Sequence, residues 1–433
     1  MKIEELYSIF LKHPDISTDS RKISEGCLFF ALKGENFNGN LFAHKAIEKG
    51  ASYAIVDEAK DKDIDDKIII VDNVLKCLQD LAHYHRHQLK TKILAITGTN
   101  GKTTTKELIY AVLSEKFNVV STFKNLNNHI GVPLSLLRLT TQTQIGIIEM
   151  GASHPGEIAD LCKIVDPDLG IITNIGKAHL EGFKSLEGVI KTKAALYDYL
   201  RIKGGKCFIN IDNSLLLKQA SSLEQITYGK SEKAQLTGIP IKGKYFLSVN
   251  ILFPKGWLDI HSKLIGSYNF ENIMAAASVG LYFGVDPLNI AKAIKNYIPD
   301  NNRSQLIKIR SNKIVMDAYN ANPTSMRASI ENFSDIDHPN KSIILGDMME
   351  LGEQSENEHQ KIVDFIQTKD FSDIYLVGSC FEKTNTKTNT KIKKFSSTDI
   401  LLEYLKKAKH AEEKLILIKG SRGIKLEKIL EFI

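Results

Sequence analysis

The segment Ala95–Glu107, AITGTNGKTTTKE, carries the residue types that hold a phosphate group. The common phosphate loop reads G-x-x-x-x-G-K-[ST]. Counting back from Gly101-Lys102-Thr103, the first glycine of that pattern falls at position 96. The chain has Ile96 there, and Gly98 stands closer in. Glycines let backbone N–H groups turn inward around phosphate oxygens, and a helix N-terminus adds partial positive charge. Lys102 is placed to neutralise β- and γ-phosphates, and Thr103 or Thr104 to reach Mg²⁺. The competing reading is a strand-to-helix turn that happens to contain Gly and Lys. The run TGTNGKTTT, with an apolar strand before it and a helical pattern after it, argues against that. A guanine-selecting N-K-x-D is absent, as are the D-F-G and H-R-D of protein kinases, so ATP is the expected nucleotide.

Two further residues stand where such a site needs them. Glu149 ends the apolar run IGIIEM, and the carboxyl edge of a buried strand is where α/β folds bind ligands. A carboxylate there can hold Mg²⁺ or merely cap the next turn. His179 follows LGIITNI in a Gly-containing loop, as a ligand or as a structural histidine. Lys193, in VIKTKAALYDYL, reads from its neighbours as a solvated helix lysine.

The elements that must position these residues fall into three regions. Residues 1–90 hold short strands, CLFFAL, YAIV and KIIIV, a helical AHKAIEKG and a polar surface loop over 57–67, as in a small mixed α/β domain. Residues 91–298 open on the strand KILAIT and continue with IGIIEM, LGIITNI and KCFIN. Near-continuous apolar strands between helices predict a mostly parallel sheet covered on both faces. Within this region 235–265 alternates apolar and polar around Pro254-Lys255-Gly256, which predicts a small antiparallel ribbon. Residues 299–433 alternate strands (KIVMDAY, SIILGDM, DIYLVG, KLILIKG) with helices, the pattern of a doubly wound, Rossmann-like domain. The boundary is expected near Pro299-Asp300-Asn301-Asn302, a turn composition.

Composition narrows the class. The 433 residues carry a net charge of +6 with lysines and acids interspersed. The densest basic cluster, KTNTKTNTKIKK over 383–394, reads as a solvated loop, so no nucleic-acid partner is expected. Five cysteines form no C-x-x-C pair, and no apolar run approaches the ~20 residues of a membrane span. A cytoplasmic protein in a reducing compartment is expected, and a monomer.

TGTNGKTTT resembles the loop of the Mur ligases and folylpolyglutamate synthases, and more of the chain agrees. NLNNHIGVPLSLL (125–137), IIEMGASHPGEI (147–158) and TNIGKAHLEGF (173–183) are similar to central-domain motifs of the Mur ligase family. Asp19-Ser20-Arg21 with GCLFFALKGENFNG is similar to its UDP-binding segment. DAYNANPTSM (317–326), LGDMMELG (345–352) and KGSRG (419–423) resemble the branch that takes a dipeptide. The resemblance implies three domains and an ATP-dependent ligase that forms an amide through an acyl phosphate. Its substrates would be UDP-N-acetylmuramoyl-tripeptide and D-Ala-D-Ala, giving a peptidoglycan precursor. It implies ATP contacts from Gly98, Thr99, Asn100, Gly101, Lys102, Thr103, Thr104, Asn269, Asn272, Arg303 and Asp317. It implies two Mg²⁺ ions on Thr103, Glu149, His179 and Lys193, the last as an N-carboxylated lysine. An ammonium would repel Mg²⁺, whereas a carbamate makes the same stem a carboxylate ligand. Ser20, Arg21, Lys33, Asn38, Asn127 and Asn128 would hold the UDP substrate, and Tyr319, Asn320 and Asn322 the dipeptide. The rival readings are the ligase of the same family that adds a single amino acid, and a P-loop nucleotide-binding module without ligase activity. The first-region segment and DAYNANP oppose the former.

Overall fold

The structure is a computed structural model and describes residues 1–58, 66–241, 243–300, 302–386, 391–407 and 413–433. Most of the predicted 57–67 loop, residue 301 at the expected boundary and the middle of the 383–394 basic cluster lie outside the described residues.

Three main sheets organise the chain. The first is four-stranded and parallel, in the spatial order Ile16–Ser17, Leu28–Phe30, Tyr53–Val56, Ile68–Ile70. One face carries Cys27, Phe29, Ala43 and Val56 in a small cluster. The other face joins the helices Ile3–Lys12 and Val74–Gln88 in a core that continues without a break into the central unit.

The central sheet has nine strands. Seven are parallel: Val119–Ser121, Ile145–Glu149, Lys92–Thr97, Leu169–Ile172, Lys206–Asn210, Glu224–Gly229 and Leu236–Ile241, in that spatial order. Leu236–Ile241 then pairs parallel with Glu224–Gly229 and antiparallel with Phe246–Phe253, which pairs antiparallel with Gly256–Ile265. The alternating stretch is antiparallel as its pattern predicts, and it is continuous with the central sheet. Its first strand hydrogen-bonds to the edge of the parallel sheet and extends it. The covering helices include Lys102–Ser114, which buries Leu108, Ile109, Val112 and Leu113. Each such side chain contributes about 1.5–3 kcal/mol.

The third sheet runs Gln305–Ile309, Asn312–Asp317, Leu415–Lys419, Lys341–Gly346, Asp373–Val377, Ile392–Phe395. All pairs are parallel except the first. Two of these strands went unpredicted, and both lie at edges. Ile392–Phe395 closes the cluster read as a solvated loop: Ile392 and Phe395 pack inward while lysines stand between them. Charged edge strands of this kind protect a sheet from pairing with other chains. Each face of the third sheet has its own core, and among the described residues of the central unit only Ile265, with the partly buried Tyr245 and Phe246, enters them. Among the described residues no helix is long and apolar enough to cross a membrane.

Candidate active site

The central sheet's strands end together at Thr97, Glu149 and Ile172. Beyond Thr97 the chain turns through Gly98 at φ +147° and Gly101 at φ +79°, then enters the helix Lys102–Ser114. A Cβ on Gly98 would stand 1.9 Å from Thr173 Oγ1, and one on Gly101 2.6 Å from Asn272 Oδ1. Both positions thus require glycine for backbone conformation and for space. The loop is tied to the neighbouring strand's exit: the Thr99 amide donates to Asn174 O (2.8 Å), the Asn100 amide to Asn174 Oδ1 (3.0 Å), and Thr173 Oγ1 to Asn100 O (2.6 Å). Ile96 is buried in the strand, so the shortened pattern is a cradle that starts later. Lys102 Nζ folds onto the loop, donating to Gly98 O (2.8 Å) and Thr99 O (3.3 Å). Burial lowers its pKa; the Glu149 charge opposes this and Arg303 adds to it.

Glu149 is 1% exposed. Its Oε1 accepts from Thr103 Oγ1 (3.2 Å) and Asn127 Nδ2 (2.8 Å), while its backbone N–H donates to Thr122 Oγ1 (2.9 Å). Its Oε2 is buried with no hydrogen-bond partner among the described residues. The nearest cation is Lys106, whose Nζ lies 3.9 Å away and is hydrogen-bonded to Thr122 O and Lys124 O. A buried carboxylate oxygen left unpaired is costly. Beside a threonine hydroxyl and a phosphate loop, it is the donor set a hard divalent cation takes.

His179 is at φ +50°, lines the same space, and has Nδ1 against the carboxylate of Glu350 from the third unit. That contact holds the Glu350 carboxyl below its usual range. Lys193 corrects the reading from its neighbours: it is 2% exposed, within the helix Leu186–Lys203. Burial drives its pKa well below the ordinary value, Lys102 pushes the same way, and Glu157 opposes them. Its Nζ stands 5.9 Å from the centre of the Phe183 ring.

The third unit faces this edge. Asp317 closes the strand Asn312–Asp317 and pairs with Lys419 (2.7 Å). Arg303 stacks on Tyr319, 3.8 Å from the ring centre, and its Nε is buried without a partner among the described residues. Asn322 caps the helix Pro323–Ser334 and also donates to Asn100 Oδ1 of the phosphate loop (2.8 Å). Asn320 Oδ1 accepts the Ala321 amide. Asn269 is the first residue of the helix Asn269–Tyr282, and its side chain donates to Ile265 O. Asn272 donates to Asn269 Oδ1 (2.8 Å) and accepts from Thr105 Oγ1 (3.0 Å), so it braces the helix that follows the loop.

A cavity of about 1060 Å³ is lined by Thr99 to Thr104, Asn127, Asn128, Glu149, His179, Asn269, Asn272, Arg303, Asp317, Tyr319, Asn320 and Asn322. It reaches Leu75, Lys76 and Gln79 of the helix Val74–Gln88. Neither Gly98 nor Lys193 is on its wall. Asn128 lies at the cavity with its side chain committed, capping the turn into Gly131–Leu136 through the amides of Ile130 and Gly131. Ser20, Arg21, Lys33 and Asn38 do not line this cavity. Arg21 pairs with Asp19; Lys33 pairs with Asp57 and Glu58; Asn38 donates to Glu58; and the Ser20 carbonyl takes Lys49.

Sequence reasoning missed Lys106, Glu350 and Lys419. Lys106 stands three residues after Thr103, a spacing that shares a helix face. Glu350 and Lys419 lie inside LGDMMELG and KGSRG, segments read for the resemblance alone with no residue in them given a role.

Profiles of the Mur ligase family catalytic domain, the Mur ligase middle domain and the Mur ligase glutamate ligase domain match residues 15–86, 96–280 and 302–422. The UDP-N-acetylmuramoyl-tripeptide–D-alanyl-D-alanine ligase of Bacillus subtilis is 34% identical over 96% of this chain and 92% of its own. A crystal structure of MurF from Acinetobacter baumannii superposes with a TM-score of 0.86 at 28% identity, covering 99% of this chain and 98% of that one. The MurF ligase of Thermotoga maritima in complex with ADP gives 0.85 at 26% identity, covering 98% and 97%. With a phosphate loop, a buried carboxylate and a facing third unit assembled on one cavity, and with relatives matching along nearly its whole length, the chain belongs to the Mur ligase family.

Proposed function

We infer that the protein is an ATP-dependent ligase that joins D-alanyl-D-alanine to UDP-N-acetylmuramoyl-tripeptide through an amide bond. The observation that carries this reading is the single cavity lined by the phosphate loop, Glu149 and the DAYNANP loop of the third unit. A reaction between a nucleotide, a carboxylate and an amine needs all three on one wall-lined space, closed to water that would hydrolyse the acyl phosphate.

The chain's own residues divide the work. The amides of the loop and Lys102 cradle the β- and γ-phosphates, and Lys102 leaves the loop carbonyls it holds without nucleotide. Arg303, with an unpartnered buried Nε, adds a donor for the nucleotide from the opposite wall. Asp317 at the strand end is placed for the ribose. Tyr319, Asn320 and Asn322 face the loop from the side on which the dipeptide would enter. The tripeptide carboxylate attacks the γ-phosphorus and ADP leaves. The dipeptide amine then adds to the acyl phosphate carbonyl, a proton is lost from nitrogen, and phosphate leaves.

Mg²⁺ would be held by Thr103, Glu149, His179 and Lys193 as its carbamate, and would supply positive charge to the transferring phosphoryl group. Burial supports the carbamate, because it disfavours the ammonium form of Lys193 and so favours the neutral amine, the form that adds to CO₂. We place the UDP substrate on the side of the first unit, along Asn127, Asn128 and the helix Val74–Gln88. Ser20, Arg21, Lys33 and Asn38 would take its nucleotide end.

One assay tests the reading: phosphate release from ATP, Mg²⁺ and UDP-N-acetylmuramoyl-tripeptide with D-Ala-D-Ala, with a free diamino acid, or with no acceptor. Release is expected with the dipeptide. Release only with the free amino acid would overturn the substrate, and release with no acceptor tried would overturn ligation.

A further inference from the structure

Glu350 is a residue the chemistry above does not use, and the structure spends much on placing it. The segment after the strand Lys341–Gly346 is pinned residue by residue. The Asp347 carboxylate accepts the amides of Cys380 and Phe381 (both 2.9 Å). The Met348 amide donates to Nε2 of the fully buried His359 (3.0 Å), and the Met349 amide to Ser421 Oγ (2.9 Å). His359 Nδ1 in turn bonds Ser355 O (2.7 Å), so its tautomer is set and the ring cannot swing away. At the tip of this anchored segment Glu350 takes φ +63°, a conformation that costs a non-glycine residue free energy.

The strained tip makes two contacts across the seam. Its carbonyl accepts the Glu181 amide (3.3 Å), and its carboxylate lies against Nδ1 of His179, a buried nitrogen with no other partner and no aligned hydrogen bond among the described residues. The Lys177–Glu358 pair (3.2 Å) lies on the same seam. Histidines that bind metals usually give their other ring nitrogen to a carboxylate, which fixes the tautomer and aims the ligating lone pair.

We propose that Glu350 is a positioning residue for His179: it engages Nδ1 and thereby leaves Nε2 as the nitrogen presented to a divalent ion. The proposal rests on the reading of His179 as a metal ligand. Because Glu350 belongs to the third unit and His179 to the central one, the imidazole is aimed only while the two units are in contact. Domain closure and completion of the metal site are then one event.

The test is a double-mutant cycle on the full chain, reading binding of Mn²⁺ alone from the EPR signal of the free ion, with circular dichroism to verify folding. His179→Ala is expected to weaken Mn²⁺ binding. Glu350→Ala should weaken it by about 10-fold or more, and Glu350→Gln, whose amide oxygen still accepts from Nδ1–H, should recover part of that loss. In the His179→Ala background, Glu350→Ala should add nothing further. Unchanged Mn²⁺ affinity in His179→Ala would overturn the metal-ligand reading and this proposal with it. A loss in His179→Ala with none in Glu350→Ala, or additive losses in the double variant, would overturn this proposal alone.

Discussion

Lys193 is 2% exposed within the helix Leu186–Lys203. Burial, helped by repulsion from Lys102, disfavours its charged form, so the folded chain holds this proton less tightly than the unfolded chain. The site's contribution to stability is therefore complete above the ordinary lysine value of 10.5 and falls as pH drops from there toward the depressed one. In bicarbonate-free buffer near neutrality, Lys193→Met should stabilise the fold by about 1–3 kcal/mol, the cost of burying an unpaired polar group. It should also flatten part of the rise toward alkaline pH and abolish ligation. Denaturant melts at two pH values check this, and a variant less stable at both would refute the burial argument. For the carbamate, Lys193→Ala should be inactive and regain activity with added short carboxylates; wild-type activity would exclude the role. Gly101 offers a separate test. Its φ of +79° and the 2.6 Å approach of Asn272 Oδ1 leave no room for a methyl group. Gly101→Ala should lose about 1 kcal/mol or more and most ATP affinity, read by nucleotide titration; unaltered binding would sink the cradle geometry.

At the scale of elements, the helix Lys102–Ser114 does more than present a loop. Its Lys106, 2% exposed, ties the carbonyls of Thr122 and Lys124 to the neighbourhood of Glu149. Thr122 Oγ1 accepts the Glu149 amide and Asn127 reaches Glu149 Oε1, so one lysine holds the strand end and the segment that follows Val119–Ser121 in register. Lys106→Met leaves two carbonyls and a carboxylate without their cation. A loss of about 1–3 kcal/mol is expected, with faster amide exchange over 122–127 by mass spectrometry. Unchanged exchange there would show that the lysine is not the tie. The helix itself was legible, because its apolar positions recur at helical spacing. Burial of Lys106 was not, because the same periodicity cannot say what packs opposite a lysine.

At the scale of the molecule, the first and central units share one continuous core, whereas the third keeps its two cores almost to itself. Calorimetry should show the first two units melting together and the third in a separate transition; one coincident transition would contradict this division. Polar contacts hold the seam, among them the pair between the half-exposed Lys177 and the buried Glu358. Asn322 counts for more, since it caps Pro323–Ser334 and also reaches Asn100. Asn322→Ala should cost about 1 kcal/mol and raise the radius of gyration in small-angle scattering without nucleotide. An unchanged radius would mean that other contacts keep the seam shut.

The sequence by itself determined the nucleotide cradle, the parallel strands around it, the doubly wound third region and the resemblance that names the chemistry. These are local: a strand, a turn and a helix declare themselves by period, glycine placement and apolar runs within a few residues. Burial of Lys193 was half legible, since it stands four residues from both Val189 and Tyr197 on one helix face. Three things were decided by the tertiary structure. The alternating 235–265 stretch joined the central sheet because its first strand found the open edge at Glu224–Gly229. Lys33 and Asn38 were drawn onto Asp57 and Glu58, away from the main cavity. Glu350 met His179 because a pinned loop of one unit seats on another. Such meetings join residues far apart in the chain, and only the folded arrangement of sheets brings their charges within range.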